Sequence, residues 1–346
     1  MKHIHWYILA LAAVLLAGCS KESGGEIIVP DAPQQNGYTP STMPVGFAVE
    51  GDWGPTTKAD PTVLGMDPSK TKFYAGDMFG VLAYYIPAGG AIGTPNFMYN
   101  QIVTAQDATP GDPEDFSISS WDYSPKKYWP NNTEDKVSFY AYYPASRESI
   151  TLPANTAQGP PSITYTPANH HTDILYATAT DKTKPAAGEA VSLNFQHMLG
   201  QLRFKISVNN NADGNQTIWV KSIGYNVIPQ GTFNFADASW TNTAAERLYT
   251  AQVAGTGYEI TEGTEYICHA FTSFLIPISI NSLIIELDTD GNNTEKITAP
   301  VQTPIEVQQG KVTTVSLAIA TKNISITATT QPWIEKPITP TFTPDK

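Results

Sequence analysis

Apolar residues recur at every second position in many short stretches of this chain. Val191, Leu193 and Phe195 alternate with Ser192, Asn194 and Gln196, and Leu202, Phe204, Ile206 and Val208 alternate with Arg203, Lys205 and Ser207. Further apolar faces run through Leu283, Ile285 and Leu287, through Val315, Leu317 and Ile319, and through Ile324, Ile326 and Ala328. Side chains of a strand point alternately to its two faces, so a period of two predicts strands with one face buried. Phe79 to Ile86 and Val137 to Tyr143 are rich in aromatic and β-forming residues. They contain two strings that echo each other, VLAYYIP (81–87) and FYAYYPA (139–145). These lie too close together for a domain duplication and read as two core strands of one sheet. The 27 prolines and 25 glycines that punctuate these runs leave little room for long helices. Only Thr243 to Leu248 patterns as a helix, for a turn or two. Many short strands with frequent turn signals predict an all-β chain of sandwich architecture.

The N-terminus follows a different pattern. Lys2, His3 and His5 precede an apolar run from Trp6 to Leu16, too short to span a bilayer as a helix but of the length of a secretory core. Leu16-Ala17-Gly18-Cys19 then resembles a bacterial lipobox, in which Cys19 is lipidated after cleavage before it. Multiple acyl chains at Cys19 would give stable anchoring in the outer membrane, where a single chain would not. Residues 1–18 are thus expected as a lipoprotein signal peptide and 19–44 as a flexible linker or pro-segment, rich in Gly, Pro, Gln and Ser. A composition shift at 181–189, DKTKPAAGE, marks the expected boundary between an N-terminal sandwich (45–185) and a C-terminal sandwich with a Pro-rich tail (186–346).

Composition and chemistry narrow the function. After residue 18, 19 basic residues face 32 acidic ones, which argues against nucleic acid or anionic lipid as a partner. The remaining cysteine, Cys268, cannot form an internal disulfide. It sits in an apolar strand and reads as an inert buried thiol. No HExxH or GxSxG motif is present, and Gly310-Lys311 lacks the flanking residues of a phosphate loop. Asp288 to Asn292 begins like a calcium loop, but Asn293 and Ala299 break the spacing, so a hairpin turn is expected. His170, His171 and Asp173 are candidate metal ligands, but adjacent histidines on a strand point to opposite faces and a third ligand is not evident; His197 reads as a satisfied core histidine. Trp121, Tyr123, Tyr128 and Trp129 would form a sugar-stacking platform if exposed; packing is the simpler reading. The chain is therefore not expected to be an enzyme, and no cofactor or metal is expected.

Several ordered segments carry a family resemblance: Phe73-Tyr74-Ala75-Gly76-Asp77, GVLAYY (80–85), KYWP (127–130), VSFYAYYP (137–144), DILYA (173–177), VSLNFQHMLGQLRFKI (191–206), GKVTTVSLAI (310–319) and ISITATTQPW (324–333). Together they resemble the fimbrillin-like proteins of Gram-negative anaerobes, the subunits of type V pili. The resemblance implies two tandem transthyretin-like or immunoglobulin-like β-sandwich domains, export as an outer-membrane lipoprotein, and display in a surface fimbrium. It also implies assembly with other fimbrial subunits, after a protease removes the N-terminal strand and a strand from another subunit fills the groove. Val45, Phe47 and Val49 alternate as such a strand should, and Ile324 and Ile326 are the matching donor candidates. Lys58 is the candidate cleavage position, although family members usually carry arginine there. A host or bacterial surface ligand is a further expected partner. The alternative function is a surface glycan-binding lipoprotein of a nutrient-uptake system.

Overall fold

The computed structural model describes residues 37–50, 73–112, 115, 117–145, 149–208, 217–261, 265–288, 294–320 and 323–332. Cys19, Lys58, the signal and linker residues before 37, and the tail after 332 lie outside the described residues. Among the described residues the chain is all-β, in several sheets, and no helix is long and apolar enough to cross a membrane. Thr243 to Leu248, patterned as a helix, is instead a bend leading into the strand Arg247–Gln252. There its backbone pairs with Thr217–Val227, and sheet pairing overrides a weak local propensity.

The first half is organised on a six-stranded antiparallel sheet. Its order is Gln196–His197, Leu175–Lys182, Lys136–Tyr143, Met78–Ile86, Met98–Asp107 and Ile118–Asp122. Strands 78–86 and 136–143 are direct neighbours, with Leu82 opposite Tyr140, as their echoing sequences predict. Both faces of this sheet are buried, which explains the near-continuous apolar runs. Phe79, Val81, Ala83, Val137, Phe139 and Ala141 pack into one cluster of buried residues. Leu82, Tyr84, Tyr140, Tyr142 and Tyr176 point the other way into a second cluster. A smaller four-stranded sheet contributes Ile163, Tyr165 and Phe233 to that second cluster, joined by Phe235 in the turn that follows the strand Gly231–Asn234. Rings meet across the two sheets: Tyr176 and Phe233 centroids are 4.8 Å apart, and Tyr140 and Phe235 5.9 Å.

The second half pairs a four-stranded sheet with a five-stranded one. The first has the order Glu265–Leu275, Gly200–Val208, Lys311–Ala320 and Asn323–Pro332. The second runs Arg247–Gln252, Thr217–Val227, Ile278–Asp288 and Thr294–Val307, with Tyr258–Thr261 also on Thr217–Val227. Leu202, Phe204, Ile206, Val315 and Leu317 share one cluster with Ile223, Tyr225, Leu283 and Ile285. The alternation read from the sequence places each of them inward. Asp288 pairs with Thr294 at the end of this ladder, and the expected turn between them lies outside the described residues. Around 181–189 the chain interleaves: Ser162–Tyr165 pairs with Gly231–Asn234, while Val191, Leu193 and Phe195 pack in the cluster of the first half.

Candidate functional site

The site of interest is the path of the first described segment. Pro40–Pro44 pairs antiparallel with Tyr128–Pro130. Phe47–Glu50 then pairs with Val191–Asn194 in parallel, Phe47 opposite Val191 and Val49 opposite Leu193. Parallel pairing needs a distant stretch of chain, so period-two patterning alone could not name the partner. Thr39 to Gly46 is tied down along its backbone. The Asn131 N–H donates to the Thr39 carbonyl at 2.8 Å, the Val45 N–H to the Lys127 carbonyl at 2.8 Å, and the Val191 N–H to the Gly46 carbonyl at 2.8 Å.

Side chains add the larger share. Val45 and Phe47 are buried, at 1% and 6% exposure, while Val49 is half-buried. The Phe47 ring lies in a socket of three others, with centroids 6.0 Å from Phe79, 5.7 Å from Tyr123 and 5.7 Å from Phe139. The contacts with Phe79 and Phe139 are edge-to-face, a favoured geometry for aromatic pairs, and that with Tyr123 is tilted. Burying each of the two residues is worth about 1.5–3 kcal/mol. The Tyr123 hydroxyl donates to the Val45 carbonyl at 2.8 Å, and burial pushes this phenol up to about 12, which keeps its proton in place as a donor. Upstream, the Tyr38 ring meets Tyr85 at 5.5 Å and Phe97 at 5.7 Å, and its hydroxyl donates to the Tyr128 carbonyl at 2.6 Å.

The C-terminal candidates sit elsewhere. Ile324 and Ile326 lie on Asn323–Pro332, the edge strand of the second half, opposite Ile319 and Leu317. Both are half-buried against the second cluster. The structure therefore does not bring them near Val45, Phe47 and Val49 within one chain. The four aromatics considered as a sugar platform are mostly packing residues. Trp129 and Tyr123 are buried, Trp121 lies 4.9 Å from Phe79 and 5.2 Å from Phe73, and Tyr128 alone is exposed. Cys268 is fully buried, and burial pushes its thiol up to about 12. His197 is paired with Asp173. What the sequence did not flag is the role of Tyr38, which extends the segment's hold upstream of Val45; a lone tyrosine in a Pro- and Gly-rich stretch carries no local signal.

The described chain is thus an all-β framework whose first described strands lie in an aromatic groove. The chain belongs to the fimbrillin-like family, whose model matches residues 62–333. Membership makes it a cell-surface protein of the fimbrial and adhesive kind. Among solved structures, it is similar to a fimbrial protein from Bacteroides vulgatus, at 19% identity and a TM-score of 0.56, covering 85% of this chain and 100% of that one. It is also similar to a proposed cell adhesion protein from Bacteroides uniformis, at 16% identity and a TM-score of 0.49, covering 86% of this chain and 100% of the other. No curated protein matches it.

Proposed function

We propose that this protein is a structural or adhesive subunit of a surface fimbrium, exported as an outer-membrane lipoprotein through Cys19 and assembled by β-strand addition. The observation that carries the reading is the Phe47 socket. A four-residue parallel pairing holds the segment, while its side chains fill the core. Loss of the segment after a cut in 51–72, Lys58 being one candidate position, would leave an apolar groove and an unpaired stretch at 191–194. Such a surface strongly favours capture of another strand. The two sandwich domains expected on either side of 181–189 would then form one repeat of the fibre.

Surface material purified from the producing cell tests this. The expected result is a ladder of detergent-resistant multimers, a mature N-terminus lying beyond Val49, and cross-links between a cysteine placed at Ile326 of one subunit and one placed at Val191, the partner of Phe47, of its neighbour. A mature N-terminus fixed at acylated Cys19, with no intersubunit cross-link, would refute assembly by strand addition.

A further inference from the structure

The loop before Leu175–Lys182 carries two adjacent histidines and reaches across to the second half. The Phe274 N–H donates to the His170 carbonyl at 2.7 Å. The His170 ring is 2% exposed and packs edge-on against Tyr249, with centroids 4.4 Å apart. His171 follows on the same strands. Its Nδ1 lies 3.2 Å from the Thr272 carbonyl, which can only accept, so Nδ1 donates and Nε2 accepts from the Tyr249 hydroxyl at 3.3 Å. The loop continues into Ile174 of the second cluster and Leu175 of the first. It therefore fastens the six-stranded sheet to strands 247–252 and 265–275.

We propose that this loop is an acid-released clasp between the two halves, with His170 as the group whose protonation opens it. His170 Nδ1 is buried and has no hydrogen-bond partner among the described residues. A proton added there would place a charge at a buried atom with no acceptor among the described residues, which is costly. The neighbours act in the same direction. From strand 247–252 come Arg247 and the neutral Tyr249; from the same loop comes His171. Strand 265–275 presents backbone from Thr272 to Phe274. Asp173, the nearby carboxylate of the loop, is paired with His197. Burial, first, then Arg247 and His171 push His170 down to about 4, outweighing a hydrogen bond to the Phe274 backbone that raises it.

The sign follows from linkage. A histidine depressed in the closed state contributes its full stability above its ordinary value of about 6.5, and that stability is lost as pH falls from there toward 4. At pH 5 the opening equilibrium should be favoured by about 30-fold relative to pH 7.5. Acid would thus loosen the loop from strands 247–252 and 265–275 while leaving the cores of the sheets intact.

The Phe274 amide reports the clasp directly, because His170 is its acceptor. Hydrogen exchange on the mature full-length chain, corrected for intrinsic rate, should show its protection falling about 30-fold from pH 7.5 to pH 5. Amides between 200–208 and 311–320 should hold. In His170→Phe, which cannot be protonated, the fall at Phe274 should vanish. An equal fall in the variant would overturn the proposal, as would unchanged protection in the parent protein. Should the variant not fold, the His170 ring of the parent protein decides by NMR: neutral down to pH 5 in the folded protein supports the clasp, and a midpoint near 6.5 overturns it.

Discussion

Phe47→Ala is the most informative single change to the groove. The residue is 6% exposed and touches three rings, so truncation removes its transfer energy and leaves a cavity walled by Phe79, Tyr123 and Phe139. Phe→Ala in a core costs about 3–5 kcal/mol. Phe47 keeps a small exposed fraction, so the low end of that range, about 3 kcal/mol, applies. At roughly 1.4 kcal/mol per factor of ten, the segment should be held about 150-fold less tightly. The assay is to cut the chain between 51 and 72 with a lysine-specific protease and follow dissociation of the fragment that carries residues 37–50 by native mass spectrometry. Val49→Ala is the internal control. Its side chain is half-buried and should cost about 1 kcal/mol or less. Equal retention of the fragment in Phe47→Ala and the parent protein would show that the socket does not hold the strand.

Two further predictions concern the cysteines. Cys268 is fully buried with its thiol pushed up to about 12, so an exposed-thiol reagent at pH 8 should label it only on unfolding, and reductant should leave the melting temperature unchanged; rapid labelling of the native chain would refute its inertness. Cys19→Ala should abolish fatty-acid labelling and release the protein from the outer-membrane fraction, and continued retention there would refute the anchor.

The elements legible in the sequence are those whose signal is local. Leu202 to Val208 and Leu283 to Leu287 alternate, and each lies in a strand with the expected residues buried. Pairing was legible where two strings resembled each other, as for 78–86 and 136–143. It was illegible where the partner is remote. Nothing near Phe47 points to Val191, nor near Ser162 to Gly231, because such contacts are fixed by how the sheets close on the core. The same limit explains Thr243 to Leu248, whose helical pattern lost to pairing with Thr217–Val227. On a strand, the adjacent histidines at 170 and 171 would face opposite ways. They sit in a bend, where both can face the second half.

The two ends of the described chain are held in opposite ways, and this bears on which end would give and which would receive. Asn323–Pro332 has ten register pairs with Lys311–Ala320, but only Ile324 and Ile326 turn toward the core, both half-buried. Its attachment is mostly exposed backbone hydrogen bonding, each bond worth about 0.5–1.5 kcal/mol net because water competes. Phe47–Glu50 has four register pairs, but the segment fills the core with Val45 and Phe47. A strand of the first kind can leave and re-form its bonds on any other edge. One of the second kind leaves a hole that only matching side chains refill. The N-terminal groove is thus suited to receive and the C-terminal strand to donate, but the fit is imperfect. Laid on Val45, Phe47 and Val49, the donor face offers Ile324, Ile326 and Ala328, which puts isoleucine in a socket shaped for a phenyl ring. Restoring the ring contacts should add about 1 kcal/mol. A synthetic peptide of residues 323–332 carrying Ile326→Phe should therefore bind protein stripped of 37–50 about fivefold more tightly than the natural peptide. Equal or weaker binding would mean that the incoming strand does not place this residue in the Phe47 socket.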